Sequence, residues 1–236
     1  MVVHTAAPLN GELPAPERVW YASYGSNMHL DRLAAYIAGG TPAGGARRYP
    51  GCRDHRAPEQ SVAVELDGSL YFATESPIWT GGRAFYDPTA AGRMRGRAHL
   101  ITASQMSDIA AQEMYREPGT DIDLTRVLRE GRDELGAGRY ETLICPGTIG
   151  GVPVLTFTAP WTLQDVEPRT PSGAYLRYLA GGLLESGPWQ EQDIADYLAA
   201  SPGAAGHWTP PQILDLLTTD LPPAPPHPGP RRTNGR

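Results

Sequence analysis

Val19-Trp20-Tyr21-Ala22-Ser23-Tyr24-Gly25-Ser26-Asn27 is the stretch from which the fold can be read. Its first six residues have the β-branched and aromatic composition of a strand. Gly25-Ser26-Asn27 then interrupts them with a loop signal. A helical period follows at once: Leu30, Leu33, Ala34 and Ile37 fall at i, i+3, i+4 and i+7, and Gly39-Gly40 ends the run. Asn27 is expected to cap that helix. A strand delivered through a glycine turn onto a helix start presents backbone N–H groups, which suit a carboxylate or a developing oxyanion. Taken alone, the four residues Tyr24 to Asn27 are equally well read as a capped turn.

Outward from this stretch, residues 61–74 alternate around Asp67-Gly68, a two-residue hairpin signal. Residues 83–86 and 95–102 read as two further strands, with Asp87-Pro88 opening the turn between them. Arg93, Arg95 and Arg97 alternate onto one strand face, expected to be the solvated one. A helix starts at Ser104. Residues 139–145 and 152–158 form a second hairpin across 146–151. Pro171-Ser172 opens a helix with Tyr175, Leu179 and Leu183 on one side. Amphipathic helices follow near 189–199 and 210–218, the last with Thr209-Pro210 as cap and first position. Strands and helices do not alternate strictly. The expected class is α+β: a mixed, largely antiparallel small β-barrel or sheet with flanking helices.

The chain of 236 residues carries a net charge of −6 and is 40% hydrophobic, enough for one domain with a sizeable core. Residues 1–17 are expected to be a flexible leader and 18–199 the domain. Residues 200–219 form a helical extension, and 220–236 a Pro-rich disordered tail that buries too little apolar surface to order. A mildly acidic chain with scattered basic residues argues against nucleic acid. No apolar run is long enough to span a bilayer, and no signal peptide opens the chain, so a cytoplasmic protein is expected. The two cysteines, Cys52 and Cys145, are read as buried free thiols. The six histidines are dispersed, with no HxH, HExxH or Asp-x-His pattern, which disfavours a zinc hydrolase or deacetylase. Cys52, Asp54 and His55 are neighbours in an apparent loop and make a poor nucleophile site.

Glu113 is the chemical clue. Met106, Ile109, Ala110 and Glu113 share one helical face, so a carboxylate occupies the fourth place of an apolar stripe. Burying a carboxylate is costly without a partner, and a general acid/base gains its range from such a setting. The plainer alternative is a helix-end Glu pointing sideways to solvent, paired with Arg116.

The two clues together fit one pattern. Tyr21 to Met28 resembles the Y-x-x-YGSN strand and loop of the γ-glutamylcyclotransferase superfamily. Gly81-Gly82-Arg83-Ala84 resembles its Gly-Gly-x-Ala strand, and residues 96–101 its Gly-initiated strand. Gln112-Glu113 stands where the family carries its catalytic Glu. Pro171-Ser172-Gly173-Ala174-Tyr175 with Gly181-Gly182-Leu183 resembles its Pro-Ser-x-x-Tyr helix. The blocks occur in order across about residues 19–198. The resemblance implies cyclisation of a γ-glutamyl amide to 5-oxoproline and a free amine, without cofactor or metal. It implies Glu113 as acid/base and Tyr24, Gly25, Ser26, Asn27 and Tyr175 as substrate-binding residues. Three positions depart from the family: Ala110 replaces an acidic residue, Met114 a Gly and Thr120 a Tyr, so the part of the pocket that reads the substrate differs. The partner implied is a small γ-glutamyl compound. Two rivals stay open: a dedicated cyclotransferase that removes a γ-glutamyl group from a biosynthetic intermediate or acts on γ-glutamylamines, and a non-catalytic binding module of the same fold.

Overall fold

A computed structural model describes residues 2–9, 15–42 and 48–218. The tail expected over 220–236 lies outside the described residues. Strand β2 (Arg18–Ser23) is the centre of the sheet. Five of its six residues are buried, because one face carries Val19 and Tyr21 and the other Trp20 and Ala22, all apolar or aromatic. It pairs antiparallel with β6 (Arg93–Thr102), Tyr21 opposite His99, and parallel with β9 (Val152–Thr158). The remaining strands are β1 (His4–Thr5), β3 (Gln60–Asp67), β7 (Arg132–Glu134) and β8 (Thr142–Ile149). The curled sheet runs β1-β3-β6-β2-β9-β8-β7, mixed but largely antiparallel.

The leader expected over 1–17 contributes to this sheet. β1 pairs parallel with β3, and Ala7 bridges Thr148. The hairpin expected around Asp67-Gly68 is instead a corner. β4 (Ser69–Ser76) leaves the main sheet and pairs with β5 (Gly81–Asp87) as a separate two-stranded ribbon. Gly68 has φ +117° and its missing Cβ would lie 2.4 Å from the Asp87 carbonyl oxygen, so only glycine turns the chain there. Asp87 organises the next turn by accepting from the N–H groups of Thr89 and Ala90.

Helices cover both faces. α1 (Leu30–Ala38), α2 (Ala103–Glu113) and α3 (Thr125–Glu130) bury Leu33, Met106, Ile109 and Val127 against the Val19–Tyr21 face. α4 (Gly173–Ser186), α5 (Glu191–Ala200) and α6 (Pro210–Thr218) bury Leu179, Leu183, Ile194 and Ile213 against the Trp20–Ala22 face. Residues 200–218 thus share the core with α4 and α5. α2 begins with a full capping box between Thr102 and Gln105, one residue before the expected start. The arginine face of β6 is solvated only at its Arg93 end. α4 and α5 cover the rest, so Arg97 is 7% exposed and bonds the carboxylate of Glu185 at 2.9 Å, while Arg95 lies over the rings of Trp189 and Tyr197. Both cysteines are free and buried. Among the described residues no helix is long and apolar enough to cross a membrane.

The Gly-Gly pair in α4 has a packing reason. A Cβ on Gly182 would meet the Cβ of Met28 at 2.6 Å, so the glycine lets the turn after β2 rest directly on α4. Gly182→Ala is expected to overpack this contact and cost about 1–3 kcal/mol of stability, read from the urea midpoint. An unchanged midpoint would show that the contact yields freely.

Candidate active site

β2 ends beside a cleft that gathers Tyr24, Gly25, Ser26, Asn27, Glu113 and Tyr175 along one lining. The loop is anchored from below: the Tyr24 hydroxyl donates to the Phe157 carbonyl on β9 at 2.7 Å. Gly25 is extended rather than left-handed. A Cβ there would stand 3.4 Å from the Tyr175 hydroxyl, at ordinary contact. Residues Ser26–Met28 then add a single 3-10 turn before α1. The leading N–H groups of such a turn have no intrahelical acceptor.

That extra turn overturns the expected role of Asn27. The residue preceding α1 is His29, and Asn27 sits inside the 3-10 turn with its side chain directed inward. Its Nδ2 donates to Glu113 Oε1 at 3.1 Å and to the Tyr21 hydroxyl at 3.3 Å. Glu113, the last residue of α2, is half-buried at the cleft, at the helix end where the backbone dipole disfavours negative charge. The sideways pairing with Arg116 does not occur, because Arg116 bonds Glu141. Phenols surround the carboxylate. Burial, then the charge of Glu113, push the Tyr21 and Tyr36 hydroxyls well above their ordinary value. Burial pushes Tyr175 up to about 12, opposed by the Ala84 N–H and reinforced by Glu113. All three therefore stay protonated and can donate.

Several lining residues escaped the sequence reading. Arg32 of α1 is 7% exposed, its Nε donates to Ser26 Oγ at 2.7 Å and its Nη2 to the Tyr49 hydroxyl at 2.9 Å. Its guanidinium lies 5.2 Å from the centre of the Trp79 ring, and Trp79 in turn stacks on Tyr175. Burial works against this charge, but Tyr36, Tyr49 and Glu113 outweigh it. Arg83 and Arg139 also reach the lining. An arginine directly before the apolar and aromatic run Ala84-Phe85-Tyr86 was a signal in the sequence; Arg139 had none. Tyr115 lines the mouth because α2 closes with a Schellman pattern, Arg116 N–H to the Ala111 carbonyl and Tyr115 N–H to that of Gln112. The left-handed position of that pattern, usually glycine, is Tyr115 at φ +57°. Its ring carries the guanidinium of Arg139 at 4.7 Å. Met114 and Thr120, which depart from the family pattern, lie outside the lining, whereas Tyr115 and Tyr140 supply phenols to it.

Behind the loop, fully buried His99 shares a proton with Ser61 Oγ across 2.8 Å and lies 6.3 Å from the Tyr21 ring. Burial first, then the charge of Arg97, lower it to about 3, against a smaller pull from the Asn27 backbone. Among the described residues no group of three or more His, Cys, Asp or Glu is placed to hold a metal ion.

No protein family model matches the chain. A similar curated protein is histone deacetylase 5 of Arabidopsis thaliana, 31% identical over 202 residues. The match takes in 76% of this chain, which spans 30% of that relative's length. Similar solved structures include an uncharacterized protein from Homo sapiens, with TM-score 0.46, 15% identity, and coverage of 86% of this chain and 100% of that one. Another is a gamma-glutamyl cyclotransferase, with TM-score 0.44, 17% identity, and coverage of 85% and 98%.

The buried neutral His99 has a measurable consequence. Its folded pKa lies below the unfolded one, so between pH 6.5 and about 3 the unfolded chain binds a proton that the folded chain does not. Stability therefore falls as pH drops through that window, with up to about 1.4 kcal/mol per pH unit from this group. His99→Gln is expected to flatten the fall by about one proton in urea titrations between pH 6.5 and 4. An identical pH slope in the variant would show that His99 titrates freely when folded.

Proposed function

We propose that this chain is a γ-glutamylcyclotransferase-type enzyme, releasing 5-oxoproline and a free amine from a γ-glutamyl amide. The observation that supports the reading is the Glu113 carboxylate, bonded to Asn27 of the Tyr24–Asn27 loop and facing a cleft ringed by protonated phenols and arginines. The substrate's α-amine attacks its own γ-carbonyl. A C–N bond closes the five-membered ring and the original amide C–N bond breaks. The α-ammonium sheds two protons in becoming the lactam N–H, and both finish on the leaving amine. Glu113 takes and returns a proton in this exchange. The loop N–H groups steady the carbonyl oxygen as charge develops on it, and one such donor is worth about 3 kcal/mol. Arg32, tied to Ser26, supplies charge for the α-carboxylate. Holding amine and carbonyl in ring-closing geometry supplies much of the acceleration, since effective molarities reach about 10⁵–10⁸ M in well-oriented cases.

The step as written uses no cofactor or metal. Two buried, unpaired thiols suit a reducing compartment such as the cytoplasm. The dedicated-substrate reading stays within this chemistry and differs only in the leaving amine. A binding module is disfavoured by the placement of Glu113, because a pocket for a neutral ligand gains little from a half-buried carboxylate.

Glu113→Gln keeps the hydrogen-bonding shape and removes the base. The expected outcome is a loss of about 10²–10⁴-fold in kcat for 5-oxoproline release, with an unchanged unfolding midpoint. Retention of most of the activity in a folded variant would sink the assignment.

A further inference from the structure

The cleft lining carries three guanidiniums, Arg32, Arg83 and Arg139, against one carboxylate, Glu113. Among the described residues none of the three lies within ion-pair distance of an Asp or Glu, whereas eleven other arginines do: Arg18, Arg53, Arg56, Arg93, Arg95, Arg97, Arg116, Arg126, Arg129, Arg132 and Arg169. Unpaired cations withdrawn from water are costly. Arg83 is 9% exposed, gives Nη2 to the Glu75 carbonyl, and leaves its buried Nε without a partner. The buried Nε of Arg139 is likewise unpartnered.

The three divide by position. Arg32 is bonded to Ser26, in the loop whose Asn27 holds Glu113, at the end that would take the α-amino acid part of a γ-glutamyl group. Arg83 and Arg139 come from two other segments that are tied together, because the Tyr140 hydroxyl donates to the Ala84 carbonyl at 3.0 Å. Tyr175 stands between the two groups: its hydroxyl accepts from Ala84 N at 3.3 Å and lies against Gly25. A γ-glutamyl group has one carboxylate for Arg32. Two guanidiniums then remain for whatever is attached beyond the scissile amide.

We infer that the amine released at this site carries two negative charges, held by Arg83 and Arg139. This rests on the cyclisation reading above and adds the class of the leaving group. An amino dicarboxylate and a phosphorylated amine both present such a dianion, and both suit forked guanidinium donors. Neutral alkylamines leave the buried Arg83 and the half-buried Arg139 without a counter-charge.

The test compares 5-oxoproline release from γ-glutamyl-glutamate, γ-glutamyl-phosphoethanolamine, γ-glutamyl-alanine and γ-glutamyl-ethylamide. The expected kcat/KM rises at least tenfold from the ethylamide to alanine and again to a dianionic substrate; which dianion leads separates dicarboxylate from phosphate. Arg139→Gln, at the half-buried mouth, is expected to cut the ratio between the better dianion and the ethylamide at least tenfold, mainly through KM. Arg83→Lys, which keeps a charge but loses the fork, is expected to lower the same ratio. Equal or better turnover of the ethylamide overturns the inference and leaves the cyclisation reading standing. A ratio unmoved in a folded Arg139→Gln also overturns it. Silence from all four substrates overturns the cyclisation reading itself.

Discussion

Burial of β2 on both faces is the constraint on which the other elements depend. A strand with Val19 and Tyr21 on one side and Trp20 and Ala22 on the other must have a layer on each side of the sheet. α1 and α2 supply one layer and α4 to α6 the other. Because β2 pairs with both β6 and β9, its carboxyl end emerges in the middle of the sheet rather than at an edge. The turn that follows is therefore surrounded by structure. Gly182 beneath Met28, Tyr24 bonded to β9 and Asn27 bonded to Glu113 hold it from three directions. A loop fixed in this way can present backbone donors in constant geometry, which electrostatic stabilisation requires.

Charge is distributed differently inside the cleft and outside it. On the surface, arginines pair with nearby carboxylates, as Arg116 does with Glu141 and Arg53 with Asp108 and Asp121. In the cleft, Arg32, Arg83 and Arg139 face rings, hydroxyls and carbonyls instead. Rings and hydroxyls offset part of the cost of burying a guanidinium but do not neutralise it. The cleft is thus complementary to an anion, while its one carboxylate is complementary to an ammonium. That combination fits an amino acid end with further negative charge beyond it.

Much of this was legible in the order of residues. The run Val19–Tyr24 marked a strand, Gly25-Ser26-Asn27 marked its end, and the spacing of Met106, Ile109, Ala110 and Glu113 placed a carboxylate on an apolar face. Those are local properties, set by side-chain period and turn chemistry. Where the reading missed, the deciding contact was distant. Asp67-Gly68 has the composition of a hairpin, yet β4 turns away because its partner is β5 rather than β3. The β6 arginines alternate as a solvated face would, yet α4 and α5, some ninety residues later, cover Arg95 and Arg97. Asn27 has the makings of a helix cap, yet one extra 3-10 turn redirects it to a residue 86 positions away.

The sequence by itself determined most of the elements, the class of fold and the choice of Glu113 and the Tyr24–Asn27 loop as the candidate site, because period, glycine placement and motif order are written along the chain. Tertiary structure alone decided what surrounds that acid. Arg32, Arg83, Tyr115 and the adjacent pair Arg139-Tyr140 come from four separate segments, and no local spacing relates those segments. Packing of both helical layers on β2 brings them to one point. A buried charge also declares its lack of a partner only once every neighbour is in place.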